Sequence, residues 1–409
     1  MSSFVVIQKI CRSCGSKKLN KILSLGEQYL SDFVKGDRKP SKFPLELIIC
    51  NECSLVQLHH TVSQSMLYTK RYGYKSGMNN TMQKELKKIV DKSMEKALKG
   101  KEKIIAVDIG ANDGTLLSNY PKSIFRVGIE PIKKFAKECR ENADIVINDF
   151  FNIASYKKKV GNKKAKIITV ISCFYDMEDP NEFLSGVAEI LDRKGVLTIQ
   201  QNYLVGMLEQ NAFDNIVHEH LEYYSLYSLE KLLAKHSLEI FDVELSSING
   251  GSFRTYICHT EERKQLQSVY KLREKEKKLQ LMNKKIYTTF AKNVKENKYK
   301  LRSFIKKIIK MKKSVYIYGA STRGNTLIQF YKLDKKLITA AVERNPEKWG
   351  KKIASMGIPI ISEEQARKEK PDYMLILPWF FKDEFLQREK HYLHKGGHFI
   401  IPLPVLQIV

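Results

Sequence analysis

The stretch Ile104-Ile-Ala-Val-Asp108-Ile-Gly110-Ala-Asn112-Asp-Gly114-Thr115 decides how this chain of 409 residues is read. An apolar run ends in an acid and passes straight into a turn with two glycines. In a parallel α/β sheet such a turn opens a crevice at the carboxyl edge, where nucleotides bind. Gly110 and Gly114 let the backbone approach a ligand that a Cβ would hold off. A dinucleotide site would need Gly-x-Gly-x-x-Gly, with amides aimed at a pyrophosphate. Here Asn112 takes the middle position, the third glycine is missing, and Asp108 precedes the turn. A carboxylate facing the ligand repels pyrophosphate but suits the amino group and sulfonium of S-adenosylmethionine. The next apolar run, Phe125-Arg-Val-Gly-Ile-Glu130, ends in an acid able to accept both ribose hydroxyls.

Outward from this turn, strands are expected over 104–109, 126–130, 144–147, 165–171 and 195–200, with helices between them. Such alternation implies a parallel sheet covered on both faces, and with the Asp108 turn and Glu130 it reads as a Rossmann-like α/β domain of the class I methyltransferase type. A helix is expected over 80–98 from the spacing of Met82, Leu86, Ile89 and Val90. Asn148 and Asp149 close the third strand, where a polar side chain can read adenine. The fourth ends in Ser172-Cys-Phe-Tyr175-Asp-Met-Glu-Asp179, over the position of a reacting methyl.

Four of the seven cysteines form two pairs, Cys11-Arg-Ser-Cys14 and Cys50-Asn-Glu-Cys53. Two Cys-x-x-Cys turns bring four thiolates onto one tetrahedral ion, and a closed four-sulfur site makes zinc structural rather than catalytic. The long gap between the pairs, with Leu25-Gly-Glu-Gln28 and Ser31-Asp-Phe33, reads as an inserted loop. Cys139, Cys173 and Cys258 are isolated and read as small core residues.

The densest polar cluster is Asn215-Ile-Val217-His218-Glu219-His220-Leu-Glu-Tyr223-Tyr224-Ser225. Its spacing is not that of the helical zinc motif His-Glu-x-x-His. On an extended segment His218 and His220 share one face and Glu219 opposes them. An imidazole can remove a carbon-bound proton once that proton is acidified, so the cluster is expected to work in acid–base chemistry, with Glu219 orienting the ring.

Further on, Asn249-Gly-Gly-Ser-Phe-Arg254 leads into a short strand over 255–258, and a lysine-rich helix of roughly fifty residues is expected next. A second nucleotide-style turn then follows the strand Ser314-Val-Tyr-Ile-Tyr318. In Gly319-Ala-Ser321-Thr-Arg323-Gly-Asn325, small residues at a helix start free amides for a phosphate and Arg323 adds a cation. Strands over 338–342 and 373–377 continue the alternation. One chain with two such turns can hold a methyl donor at one and a nucleotide-bearing acceptor at the other.

The net charge is +26. Lysine outnumbers arginine roughly fourfold and is densest over 261–313, which reads as a solvated helical face rather than a nucleic-acid site. A positive field still favours an anionic, phosphorylated substrate. No run has the length of a membrane span, and no signal peptide opens the chain, so a cytoplasmic protein is expected.

Taken as an ordered set, these motifs resemble the nucleotide-sugar C-methyltransferase family: the cysteine pairs, Tyr72-Gly-Tyr74-Lys-Ser, the Asp108 to Gly114 turn, Glu219-His220, Asn249 to Arg254, Tyr318 to Asn325, Pro371-Asp-Tyr and Leu377-Pro-Trp379. The resemblance implies a zinc-binding domain over 1–67, an S-adenosylmethionine-dependent methyltransferase domain over 68–245 and a Rossmann-like domain that binds the nucleotide sugar over 246–409. It also implies that His220 deprotonates the carbon beside a keto group of a nucleoside-diphosphate deoxysugar, assisted by Glu219 and His218, with the Tyr74 hydroxyl stabilising the enolate oxygen. Tyr175, Tyr224, Asn249, Arg254, Ser321, Arg323 and Asn325 are the expected substrate contacts. Val217 and Tyr175 depart from the family, which has a tyrosine and a histidine there. Methylation of oxygen or nitrogen, or a zinc-ribbon nucleic-acid protein, are the rival readings. The sequence leaves the oligomeric state open.

Overall fold

A computed structural model describes residues 4–36, 38–68, 75–78, 80–97 and 104–409. Tyr72 and Tyr74 lie outside them. The central sheet has seven strands. From edge to edge they are Ile145–Ile147, Phe125–Ile129, Ile105–Ile109, Ala165–Ile171, Leu191–Asn202, Ser252–His259 and Leu238–Ser246. The first five run parallel, and Ser252–His259 is antiparallel to both its neighbours. Strand order therefore reverses beside Ile105–Ile109, which sets a crevice above that strand's carboxyl end. The central strands are buried on both faces. Helix Asn80–Ala97 covers one face through Met82, Leu86, Ile89 and Val90. Helix Pro180–Ile190 covers the other, packing Phe183, Leu184 and Val187.

Ser252–His259, beyond the expected boundary at 245/246, lies inside the central sheet and pairs with Leu191–Asn202. The region from Leu25 to Gln28 is no inserted loop. It belongs to the strand Leu19–Tyr29, which pairs with Lys42–Cys50 across two register shifts. The expected fifty-residue helix is two, Gln267–Leu279 and Lys284–Lys310. Gln280 turns left-handed at φ 50°, and the Asn283 side chain caps the second helix. Neither glycine nor proline marks the break, so its sequence signal is weak.

The three regions share sheets. Glu222–Tyr223, just past the histidine cluster, adds a strand to the N-terminal sheet by pairing with Val56–Leu58. Phe33–Val34 of the N-terminal region pairs with Lys352–Ile353 and extends the eight-stranded C-terminal sheet. No helix among the described residues is long and apolar enough to cross a membrane.

Candidate active site

The turn after Ile105–Ile109 is held open by its own backbone. Gly110 takes φ +78° and Asn112 +49°. A Cβ on Gly110 would stand 2.8 Å from Cys173 Sγ, so the position is closed to other residues on two counts. Glu130, at the end of the neighbouring strand, accepts the Asn112 N–H at 2.9 Å on one oxygen and the Ile132 N–H at 2.8 Å on the other. Burial raises its pKa, opposed by those two amides. Each oxygen keeps a lone pair for a further donor, as a ribose diol would supply. Asp113 accepts from Thr115 and from the Gly77 N–H, and Asn112 Oδ1 accepts the Ser76 N–H, so the segment 75–78 is stapled to this turn. Asp108 is sunk deeper. Its carboxyl accepts the Thr169 hydroxyl at 2.6 Å, and burial pushes its pKa up to about 7. Asn148 donates to the carbonyls of Glu130 and Pro131, while Asp149 organises Phe150, Asn152 and Ser155.

The segment after Ala165–Ile171 links this turn to the histidine cluster. Cys173 Sγ donates to the Ile109 carbonyl at 3.3 Å and lies under Gly110. Two residues on, the Tyr175 ring meets His220 edge-on with centroids 4.3 Å apart, and the Tyr175 carbonyl accepts the Leu221 N–H at 2.8 Å. The donor turn and the histidine thus stand on either side of two residues of chain. His220 Nδ1 is 2.9 Å from the Asn215 carbonyl. A carbonyl only accepts, so Nδ1 carries the proton and the basic lone pair is on Nε2. Burial, seconded by the positive charge of Arg323, lowers the His220 pKa to about 3 against the Asn215 bond, so the ring is neutral at physiological pH. Burial raises the Glu219 carboxyl. Asp176, beside Glu219, is raised well above the ordinary range by burial and by that neighbouring charge, although Tyr68 donates to its Oδ2 at 3.0 Å. Its Oδ1 is buried with no partner.

The C-terminal turn closes on the same loop. Arg323 binds the wholly buried Asp214 carboxylate through Nε at 3.1 Å, and its Nη2 lies 2.8 Å from the same oxygen. Its Nη1 donates to the Asn249 carbonyl at 2.5 Å, and its guanidinium stacks 4.5 Å above the Phe380 ring centre. Trp379 Nε1 donates to Asp214 as well, at 3.2 Å. Ser321 caps helix Thr322–Tyr331 by accepting the Gly324 N–H. An apolar hollow of about 240 Å³ between Val205, Leu208, Ile286 and Phe290 is a separate feature without such chemistry.

The four cysteines converge as their spacing requires. Cys11 and Cys53 sulfurs are 3.5 Å apart, as are those of Cys14 and Cys50, and all four lie within 4.8 Å of one another. Tetrahedral zinc with bonds of about 2.3 Å needs sulfur edges of about 3.8 Å. The Glu52 N–H also points at Cys50 Sγ at 3.4 Å, as amides do around a bound thiolate. The donor set fits zinc. Cys139 and Cys258 are core residues, and Cys173 is half-buried.

Several of the expected contact residues are engaged within the protein itself. His218 and His220 do not share a face, because Val217–His220 is a turn closed by a hydrogen bond and not an extended segment. His218 instead reaches the Phe43 carbonyl at 3.2 Å. Arg254 is buried on the face covered by helix Asn80–Ala97, tied to Gln200, Glu85 and Glu244. Strand alternation places it there, away from the crevice. Tyr224 is wholly buried and stacked on Phe174. Asn325 is spent on Ser31, Ser355 and Gln329. The residues that sequence reasoning missed are Asp176, Asp214, Tyr68 and the buried, unpartnered amide of Asn215. Asp176 and Asn215 were visible only as neighbours of Tyr175 and Val217.

Residues 11–68 match the putative zinc binding domain, 78–243 the methyltransferase domain and 247–404 the C-methyltransferase C-terminal domain. C-methyltransferase NovU of Streptomyces niveus is 28% identical over 407 residues, covering 98% of this chain and 96% of NovU. An S-adenosylmethionine-dependent methyltransferase structure from Clostridium acetobutylicum ATCC 824 overlaps 43% of this chain and 92% of its own at TM-score 0.34 and 14% identity. Magnesium protoporphyrin IX methyltransferase of Synechocystis PCC 6803, solved with SAH bound, overlaps 46% and 91% at TM-score 0.35 and 13% identity. The chain is an S-adenosylmethionine-dependent methyltransferase with a four-cysteine site that fits structural zinc, and its successive regions match the zinc-binding, methyltransferase and C-methyltransferase C-terminal domain models in that order.

Proposed function

We propose that the acceptor is a nucleoside-diphosphate-linked keto-deoxysugar, methylated at the carbon beside its keto group. The observation that carries this reading is the meeting of three features at one loop: the donor turn through Cys173, the free Nε2 of His220 beside Tyr175, and Arg323 with its helix start. Bound S-adenosylmethionine, held at Gly110, Asn112, Gly114 and Glu130 above Asp108, supplies the electrophilic methyl. His220 Nε2 takes the proton from the acidified carbon, the electron pair moves toward the keto oxygen, and the carbon would then bond to the methyl as the methyl–sulfur bond breaks, its electron pair staying on sulfur and S-adenosylhomocysteine leaving. Burial raises the carboxyls of both Glu219 and Asp176, and a carboxyl held protonated there would donate to the developing oxyanion. Tyr74 would add its hydroxyl from outside the described residues. Burial first and the charge of Arg323 second hold down the basicity of His220, so an anionic diphosphate beside Arg323 would relieve part of that depression.

The test uses 4-keto nucleotide sugars. Protein, labelled donor and sugar should put label on carbon, identified by carbon NMR of the product. Without donor, the protein should exchange the C3 hydrogen for solvent deuterium, and His220→Ala should abolish that exchange. Label on oxygen or nitrogen, or exchange undiminished in His220→Ala, would refute the proposal.

A further inference from the structure

The N-terminal region carries a second cluster of ligating side chains, used neither by the cysteine site nor by the methyl-transfer loop. Glu46 lies on Lys42–Cys50, and His59 and His60 lie where Val56–Leu58 breaks before His60–Val62. Consecutive side chains of an unbroken strand would point to opposite faces. Here the break alters the alternation. The His59 N–H donates to the Glu46 carbonyl at 2.9 Å, and the His59 carbonyl accepts the Gln8 N–H at 2.7 Å. Both imidazoles come to one side, with ring centres 4.7 Å apart. One nitrogen from each ring and one Glu46 oxygen lie within 4.8 Å of one another.

The hydrogen-bond inventory of this cluster is incomplete without a further ligand. His59 Nδ1 is 3.3 Å from Glu46 Oε2, and Lys21 takes Oε1 at 2.5 Å. His60 Nδ1 is buried and has no partner among the described residues. An ion pair between His59 and Glu46 leaves that nitrogen unused, whereas a cation on the Glu46 Oε2 side employs all three groups. Lys21 is more than half exposed and can turn outward. Two imidazoles and one carboxylate suit zinc and similar borderline cations and are poor ligands for magnesium or calcium, which want oxygen. Three protein ligands leave a coordination position open, and the 34% exposure of the His59 side chain gives an ion a way in. Three residues before Glu46 on the same strand, the Phe43 carbonyl holds His218. We propose that Glu46, His59 and His60 form a second divalent-metal site, separate from the four-cysteine zinc, on the strand that supports the histidine loop.

The holoprotein, with its cysteine site filled, should be dialysed against Zn2+ and its metal content measured per chain. Wild type should hold two equivalents. His59→Ala and His60→Ala should hold one, and Glu46→Gln should bind the second at least about tenfold more weakly. Co2+ added to zinc-loaded wild type should give weak visible bands without a thiolate charge-transfer band. The His59 side chain is about one third exposed, so its variant reports even if His60→Ala fails to fold. A single equivalent in wild type, a second equivalent undiminished in His59→Ala, or a thiolate band from the added Co2+ would overturn the assignment. None of these readouts depends on the sugar acceptor.

Discussion

His220 illustrates how much one side chain owes to its surroundings. Its Nδ1 proton is fixed by the Asn215 carbonyl, and burial keeps the ring neutral, with a pKa lowered to about 3. The imidazole proton signals of His220 should therefore stay unchanged between pH 5 and pH 8 in the substrate-free protein, whereas an ordinary histidine moves near 6.5. An NMR titration centred near neutrality would contradict the burial argument. Asp108 shows the opposite sign. Its folded pKa of about 7 lies above the unfolded value near 3.8, so its protonated form stabilises the fold and that contribution fades as pH rises from about 4 through 7. Asp108→Asn keeps an acceptor for Thr169 and removes the ionisation. Relative to wild type, the variant should gain stability with rising pH, by up to about 4 kcal/mol above neutrality. Denaturant unfolding at pH 5 and pH 9 measures this, and equal differences at both would refute it.

At the scale of elements, the short strand Glu222–Tyr223 connects the cysteine cluster to the histidine loop. Arg12 sits between Cys11 and Cys14, donates to the Leu58 carbonyl and the Thr61 hydroxyl, and lies 3.5 Å from Glu222 with both side chains sealed from solvent. The Leu58 N–H donates to the Leu221 carbonyl, one residue past His220. Removing Arg12 strands a buried carboxylate, so Arg12→Met should cost about 3–5 kcal/mol, and adding Glu222→Leu should recover much of it. Chemical denaturation of the single and double variants tests the coupling; simple additivity would dismiss it. The elements also show where local reading succeeds. The strand ends at Asp108 and Glu130 and the two Cys-x-x-Cys turns are legible because their signals span a few adjacent residues. The break at Gln280 was missed because a left-handed glutamine carries no helix-stop signature.

Across the whole molecule, the three regions are sewn together by strands exchanged between them. Phe33–Val34 completes the C-terminal sheet, and Tyr29 exchanges hydrogen bonds with Gln329. Val34→Pro removes an N–H from this pairing. Hydrogen exchange should quicken at Lys352 and Ile353 while donor binding at the central turn is retained. Unchanged protection there would show that the pairing contributes little.

The sequence by itself determined the chemistry available: a glycine turn with its acids, a zinc knuckle, a histidine–glutamate cluster and a second nucleotide-style turn, each written in short-range spacing. Tertiary structure alone decided which side chains meet. It sent Arg254 to Glu85, gave Arg323 the Asp214 carboxylate, turned His218 toward Phe43, and set Asp176 beside Glu219. Periodicity and turn chemistry act over a few residues, but the partner of a buried charge is chosen by strand pairing between segments tens to hundreds of residues apart, which no local pattern encodes.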